Sequence, residues 1–343
     1  MNNKITNKKK RVIKRILWPD AIRVISVFLV ILIHTSAKVV LSWGQVNTSE
    51  WIIGNIFDSF ARIAVPLFVL LSGSLLLHKK DNLKTFLKKR TSRILFPWLF
   101  WGTILLFLNN FSVFGNKSLK LLLIENFLSG FWFMPMITGI YIITPIIKKF
   151  VVNATKKELK YFFGIWFVLA SLVPTLNNIF DLDISFINPS WFAYLGYFVG
   201  GYYIVHKSKI SKQHLRQSKL IFIICLMLTI FGTYLLSNKN NQFSGYLYEY
   251  LSVNVLLMSF SSFILLFNYF KKVKINYKLT KYINFISKNS FGILLSHIII
   301  IKIFSLQPYP LITIPLSTIV IFSFTLFLIS GLKKVSFLKN VVG

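Results

Sequence analysis

Ten apolar stretches divide this chain, at about 20–41, 52–77, 94–113, 131–147, 161–179, 190–205, 219–236, 249–270, 290–304 and 311–332. Most are close to the roughly 20 residues a helix needs to cross a hydrocarbon core. A chain so divided is constrained to spans that satisfy their own backbone polar groups, and among open-ended segments only helices do so. Composition agrees, since 55% of residues are hydrophobic and 14% charged, against about a quarter charged in soluble domains. The expectation is an all-α polytopic membrane protein with about ten transmembrane helices, multi-pass in the cell membrane. Its parts are a basic segment 1–19, a membrane domain 20–332 and a basic tail 333–343.

The placement of positive charge tests this division. The segments 1–19, 78–93, 148–160, 206–219, 271–289 and 333–343 share 33 of the 40 Lys and Arg residues, whereas the alternate loops hold Lys117, Lys120 and Lys239. By the positive-inside rule the charged set is cytoplasmic, which puts both termini there. The formal charge of +31 is thereby explained by topology and contact with membrane lipids. Dispersed over six loops, it forms no patch suited to nucleic acid. The single Cys225 lies in an apolar run, and the five histidines are scattered, so neither an intrachain disulfide nor a metal site is expected. The apolar piece within 114–130 is too short for a span and reads as a re-entrant or interfacial helix.

The first span, WPDAIRVISVFLVILIH, carries Arg23 near its start and His34 well inside. Eleven residues at about 100° each return both side chains to nearly one face, about 16 Å apart along the axis. Ionisable groups at such depth face a bundle interior or a functional site. The bland alternative for His34, and more so for His297 in FGILLSHIII, is an imidazole bonded to a neighbouring helix. The second span places Asp58 and Arg62 at i,i+4, the spacing of an ion pair on one face, and at about the level of His34. Ser72 and Gly73 later in that span read as a close-packing contact. Arg90 and Arg93, at i,i+3 where the third span begins, form a fork suited to phosphate oxygens. Either alone also fits simple anchoring. With Arg23 they make three guanidinium groups at the inner level. On the outer side Trp132, Tyr141, Trp191, Glu125, Asp181, Asp183 and Glu249 offer stacking and hydrogen bonds that would suit sugar rings. Ten helices with buried Arg, His and Asp also describe a proton-coupled carrier or glycan exporter, although no internal repeat is evident.

Taken in order, Arg23 with His34, the AVPLFVLLSG run after Arg62, Arg90-Thr91-Ser92-Arg93, FWFMPMITGIYIITP at 131–145 and GILLSH near the ninth span resemble the motif set of the acyltransferase-3 family of integral-membrane O-acyltransferases. Within it the likeness is to the bacterial surface-polysaccharide O-acetyltransferase type. The resemblance implies cytosolic acyl-CoA, most often acetyl-CoA, as co-substrate and a hydroxyl of a cell-surface glycan or lipid-linked sugar as acceptor, with no metal. Some members carry an extracytoplasmic esterase-like domain. With none before Gly343, transfer is expected to be completed by the membrane domain or by a separate protein. Joined to the residues, this makes His34 the general base, Arg62 its oxyanion-stabilising neighbour held by Asp58, and Arg23, Arg90 and Arg93 the clamp on the CoA phosphates. Trp132, Tyr141 and His297 are then candidates for the acceptor side.

Overall fold

The computed structural model describes residues 17–79, 81–110, 123–180, 191–303 and 309–343, and among these every regular element is helical. Lys117, Lys120, Asp181 and Asp183 lie outside the described residues, as does the side chain of Trp191. The helices are α1 (Leu17–Val40), α2 (Thr48–Ala61), α3 (Ala64–Leu76), α4 (Leu83–Asn110), α5 (Phe133–Asn153), α6 (Lys156–Phe167), α7 (Val173–Phe180), α8 (Leu195–Tyr202), α9 (Lys212–Asn240), α10 (Val253–Lys272), α11 (Tyr277–Ile303) and α12 (Pro310–Leu332). A short π-helical turn, Ile124–Ser129, precedes α5.

Among the described residues nine helices or continuous helix pairs are long and apolar enough to cross a membrane. The protein is a multi-pass membrane protein. Its helices have the outward-facing apolarity that a lipid solvent selects. On α9 the buried side chains are Ser218, Cys225, Thr229, Thr233 and Ser237, while Leu220, Ile224, Leu228, Phe231 and Leu235 are exposed. Small and polar groups face the bundle, where interhelical bonds form. Asn254 donates from α10 to Thr229 on α9 at 2.8 Å, and the hydroxyls of Thr35 on α1 and Thr318 on α12 meet at 2.8 Å.

The expected sixth span is not among the nine. It is the 17-residue run Trp191–Lys207, a 3-10 turn, the short helix α8 and a π-helical turn in succession. Near one end Tyr194 meets the ring of Trp132, just before α5. At the other, Lys207 donates to the carbonyl of Val152, near the end of α5. The run therefore traverses the bundle beside α5 with fewer residues than a lipid-facing helix needs. It does so because α8 is buried from Gly196 to Tyr202. A Cβ on Gly73 of α3 would strike the Phe198 carbonyl, and one on Gly201 the Leu70 carbonyl, so the two backbones touch through reciprocal glycines.

The second expected span, 52–77, is broken in two at Arg62 and Ile63. Pro66 has no N–H to give to the carbonyl four residues earlier, which is that of Arg62. The same arithmetic applies to Pro97 and Arg93 and to Pro145 and Tyr141. Three prolines thus each release a backbone carbonyl at a residue singled out from the sequence. Helix α1 is the hub, in contact with α2, α3, α10, α11 and α12.

Candidate active site

Along α1 every residue is buried or half-buried except His34. Its ring opens not to the outside but into a crevice of about 310 Å³ between α1, α3, α5 and α11. His297 of α11 lines the same crevice, and the two imidazoles lie 5.1 Å apart between centroids. The Nδ1 of His297 lies 3.2 Å from the carbonyl of Ile293. A carbonyl can only accept, so Nδ1 carries the hydrogen and Nε2 of the neutral ring is an acceptor. That Nε2 is buried and has no hydrogen-bond partner among the described residues. Sequence spacing undervalued His297, because its company is 263 positions away in the chain.

Trp132 and Tyr250 form the aromatic wall of the crevice, nearly parallel with centroids 5.5 Å apart. Trp132 is 39% exposed, so part of its side chain stays open beside the Tyr250 stack. Behind Tyr250 lies Arg62. Its guanidinium is centred 4.2 Å over the Tyr248 ring and 6.0 Å from that of Tyr250, cation–π distances that orient it. Arg62 Nε donates to Asp58 at 2.6 Å, with a second contact through Nη2. Asp58, fully buried, accepts a further bond from Ser36 of α1 at 3.0 Å. The ion pair inferred from i,i+4 spacing therefore forms, and Ser36, two residues beyond His34, ties it to α1. Arg62 stands one layer behind the crevice rather than in its lining.

A second cavity, of about 520 Å³, opens toward the N-terminal end of α1 and brings Arg23, Arg90 and Arg93 together. Arg23 Nη1 donates to Ser287 of α11 at 2.8 Å and to Asp20 at 3.1 Å, and Ser287 in turn donates to Asp20 at 2.6 Å. Arg90 packs over Phe86, and its Nε is buried with no hydrogen-bond partner among the described residues. Sequence reasoning missed three further cations in this lining, Lys288, Lys333 and Lys339. Partial burial holds Lys333, just past the end of α12, below the ordinary lysine value. Tyr141 belongs here, not to the histidine crevice; its hydroxyl reaches toward Ser72 at 3.4 Å. Phe68, Phe133 and Leu294 line both cavities, so the two adjoin through a shared apolar wall.

A family model described as an acyltransferase domain matches residues 16–333. The chain belongs to the acyltransferase-3 family. No curated protein and no solved structure matches the chain. This acyltransferase therefore needs a donor and an acceptor, and its two cavities adjoin along α1. Glu125 and Glu249 are exposed and do not line the histidine crevice of the acyltransferase. Among its described residues no group of three or more His, Cys, Asp or Glu side chains could hold a metal ion.

Proposed function

We propose that this membrane acyltransferase moves an acyl group, most simply acetyl, from cytosolic acyl-CoA to a hydroxyl of a cell-surface glycan or lipid-linked sugar. The observation that carries the reading is the adjoining pair of cavities, one basic and one holding His34, along a single face of α1. The positive-inside distribution puts the basic cavity at the cytosolic end, with both termini on that side. Arg23, Arg90 and Arg93 hold the CoA phosphates there. From Arg23 to His34 the helix rises about 16 Å, the reach of an extended pantetheine arm, and the shared apolar wall of Phe68, Phe133 and Leu294 flanks its path.

With the thioester beside it, neutral His34 takes the acceptor hydroxyl proton as oxygen attacks the carbonyl. The acyl–sulfur bond breaks, the acyl–oxygen bond forms, and the proton passes to the departing CoA thiolate. Trp132 stacks on the sugar ring, and His297 Nε2 accepts a hydrogen bond from a neighbouring hydroxyl of the sugar. Arg62 and Asp58 act through Tyr250 as positioning residues, with the field of Arg62 favouring the developing oxyanion.

The test uses purified protein and acetyl-CoA. Free CoA should appear only when a glycan acceptor is added, and acylated glycan should appear with it. Acceptor movement without thioester consumption would instead identify a carrier. An Arg90→Ala/Arg93→Ala protein should bind acetyl-CoA at least tenfold more weakly, as expected for loss of two charge-assisted contacts; unchanged affinity would remove the clamp.

A further inference from the structure

The family match ends at residue 333, yet the chain beyond it does not leave the bundle. After α12 the backbone turns through bonds from Lys334 to Gly331 and from Val335 to Leu332, and a 3-10 turn at Leu338–Asn340 carries it back. Val342 is then fully buried, and its carbonyl accepts from the Trp101 indole of α4 at 3.2 Å. A Cβ on Gly292 of α11 would lie 2.8 Å from that same carbonyl oxygen. Only a glycine leaves this notch open to the returning chain. The segment expected as a basic tail is docked between α4 and α11.

Docking brings Lys339, Asn340 and Gly343 into the lining of the basic cavity, beside Lys333 at the end of α12. Lys333 Nζ donates to the carbonyl of Lys288, which fixes that corner. The lining carries six cationic side chains and no acidic side chain among the described residues, although the terminal residue Gly343 also lines it and Asp20 accepts from Arg23 just behind it. Such a concentration of one sign favours a polyanion and is relieved by one.

We propose that Lys334–Gly343 is a wall of the donor site, with Lys339 and the adjoining Lys333 as phosphate-binding residues and Val342 as the latch that holds the wall in place. This rests on the reading that the polyanion is acyl-CoA. A ligand whose phosphates span from Arg90 and Arg93 to Lys339 fastens the segment, and the segment in turn closes the cavity over the ligand. Positioned by one buried side chain and one indole bond, it is set to respond to occupancy.

Two measurements on the full-length protein in nanodiscs of neutral lipid test it. The first is affinity for CoA and for S-acetyl-pantetheine, which lacks the nucleotide phosphates. Lys339→Ala should weaken CoA binding about fivefold, the scale of one partly exposed ion pair, and leave S-acetyl-pantetheine unaffected. Val342→Asp, which undocks the segment without removing a lysine, should weaken CoA binding at least as much. The second is trypsin cleavage after Lys334 and Lys339, which CoA should slow in wild type and not in Val342→Asp. If wild type binds CoA and both variants bind it equally well, with cleavage indifferent to CoA, the wall is overturned while the donor reading stands. If wild type binds no CoA, and phosphatidylglycerol alone slows cleavage, the donor reading itself falls and the cavity is a lipid-headgroup site.

Discussion

This protein contains two histidine pairs of similar geometry and opposite circumstance. His34 and His297 meet at 5.1 Å between centroids in the middle of the bundle, and His78 and His206 at 4.7 Å where α3 ends beside the π-helical turn after α8. In the second pair both rings address one acceptor, the carbonyl of Ser74, at 3.2 Å from His78 and 2.8 Å from His206. Tyr202 packs on His206, and Lys79 and Lys148 stand nearby. Those rings pin two chain segments together. Among the described residues, only His297 of the first pair touches a carbonyl, and its other nitrogen is buried beside a crevice with no partner there. Ring proximity alone does not make a histidine pair chemical. What does is a nitrogen left uncommitted by the backbone, next to space a substrate can fill.

The largest effect should follow from His34→Ala. Loss of a general base costs about 10²–10⁴ in rate, and acetyl-CoA affinity should survive because the basic cavity is untouched. His297→Ala should cost less, about tenfold to a hundredfold, since it removes an acceptor contact rather than the base. His78→Ala/His206→Ala should leave turnover within about twofold. Initial rates of CoA release on the four proteins decide the matter, and an equal collapse in the His78/His206 variant would break the distinction between the pairs.

Next in size is Asp58→Asn, which probes what stands behind the first pair only. Arg62 would remain in the protein interior with its carboxylate partner gone, and such losses cost about 3–5 kcal/mol. Thermal unfolding in detergent should shift strongly downward. The lysines beside His78 have no comparable dependence, being at the edge of the bundle, so Lys148→Gln should leave the unfolding temperature nearly unchanged. A mild Asp58→Asn would mean that Arg62 is compensated by other groups, such as Tyr248 and Tyr250.

How far the sequence revealed all this can be followed residue by residue. His34 was legible because an ionisable group in an apolar run is costly wherever the run packs, and Asp58 with Arg62 because i,i+4 spacing acts within one helix. Arg90 and Arg93 were legible for the same local reason. His297 was legible only as a lesser candidate and Tyr250 not at all, because their neighbours are reached by contacts across the bundle that no spacing encodes. Lys288, Lys333 and Lys339 were hidden in a basic background where the positive-inside rule already accounted for the lysines of their segments. The traverse at Trp191–Lys207 was expected at nearly the right place. Its brevity has a tertiary cause, the glycine contact between α3 and α8, which lets a run too short for lipid sit inside protein.

The smallest effect concerns the second pair and runs through pH. Burial, and then the neighbouring His206, hold His78 below the ordinary histidine value, with Lys79 and Lys148 acting in the same direction and the Ser74 carbonyl opposing them. A lowered value in the folded state means that the unfolded chain binds the proton more readily, so between the two values unfolding takes up a proton. The stability contribution of neutral His78 is therefore complete above about pH 6.5, the unfolded value, and is lost as pH falls below it toward the folded value. His78→Gln abolishes that titration while keeping a group able to bond the Ser74 carbonyl. The unfolding temperature of wild type minus that of His78→Gln should fall between pH 7 and pH 5 by about a degree, small because His78 is exposed to solvent screening. Taking the difference cancels the contributions of His34 and His297, which both proteins share. A difference that stays flat over this range would make His78 a spacer whose ring matters only for its shape. A decline would show His78 to be a proton-sensitive clasp on α3.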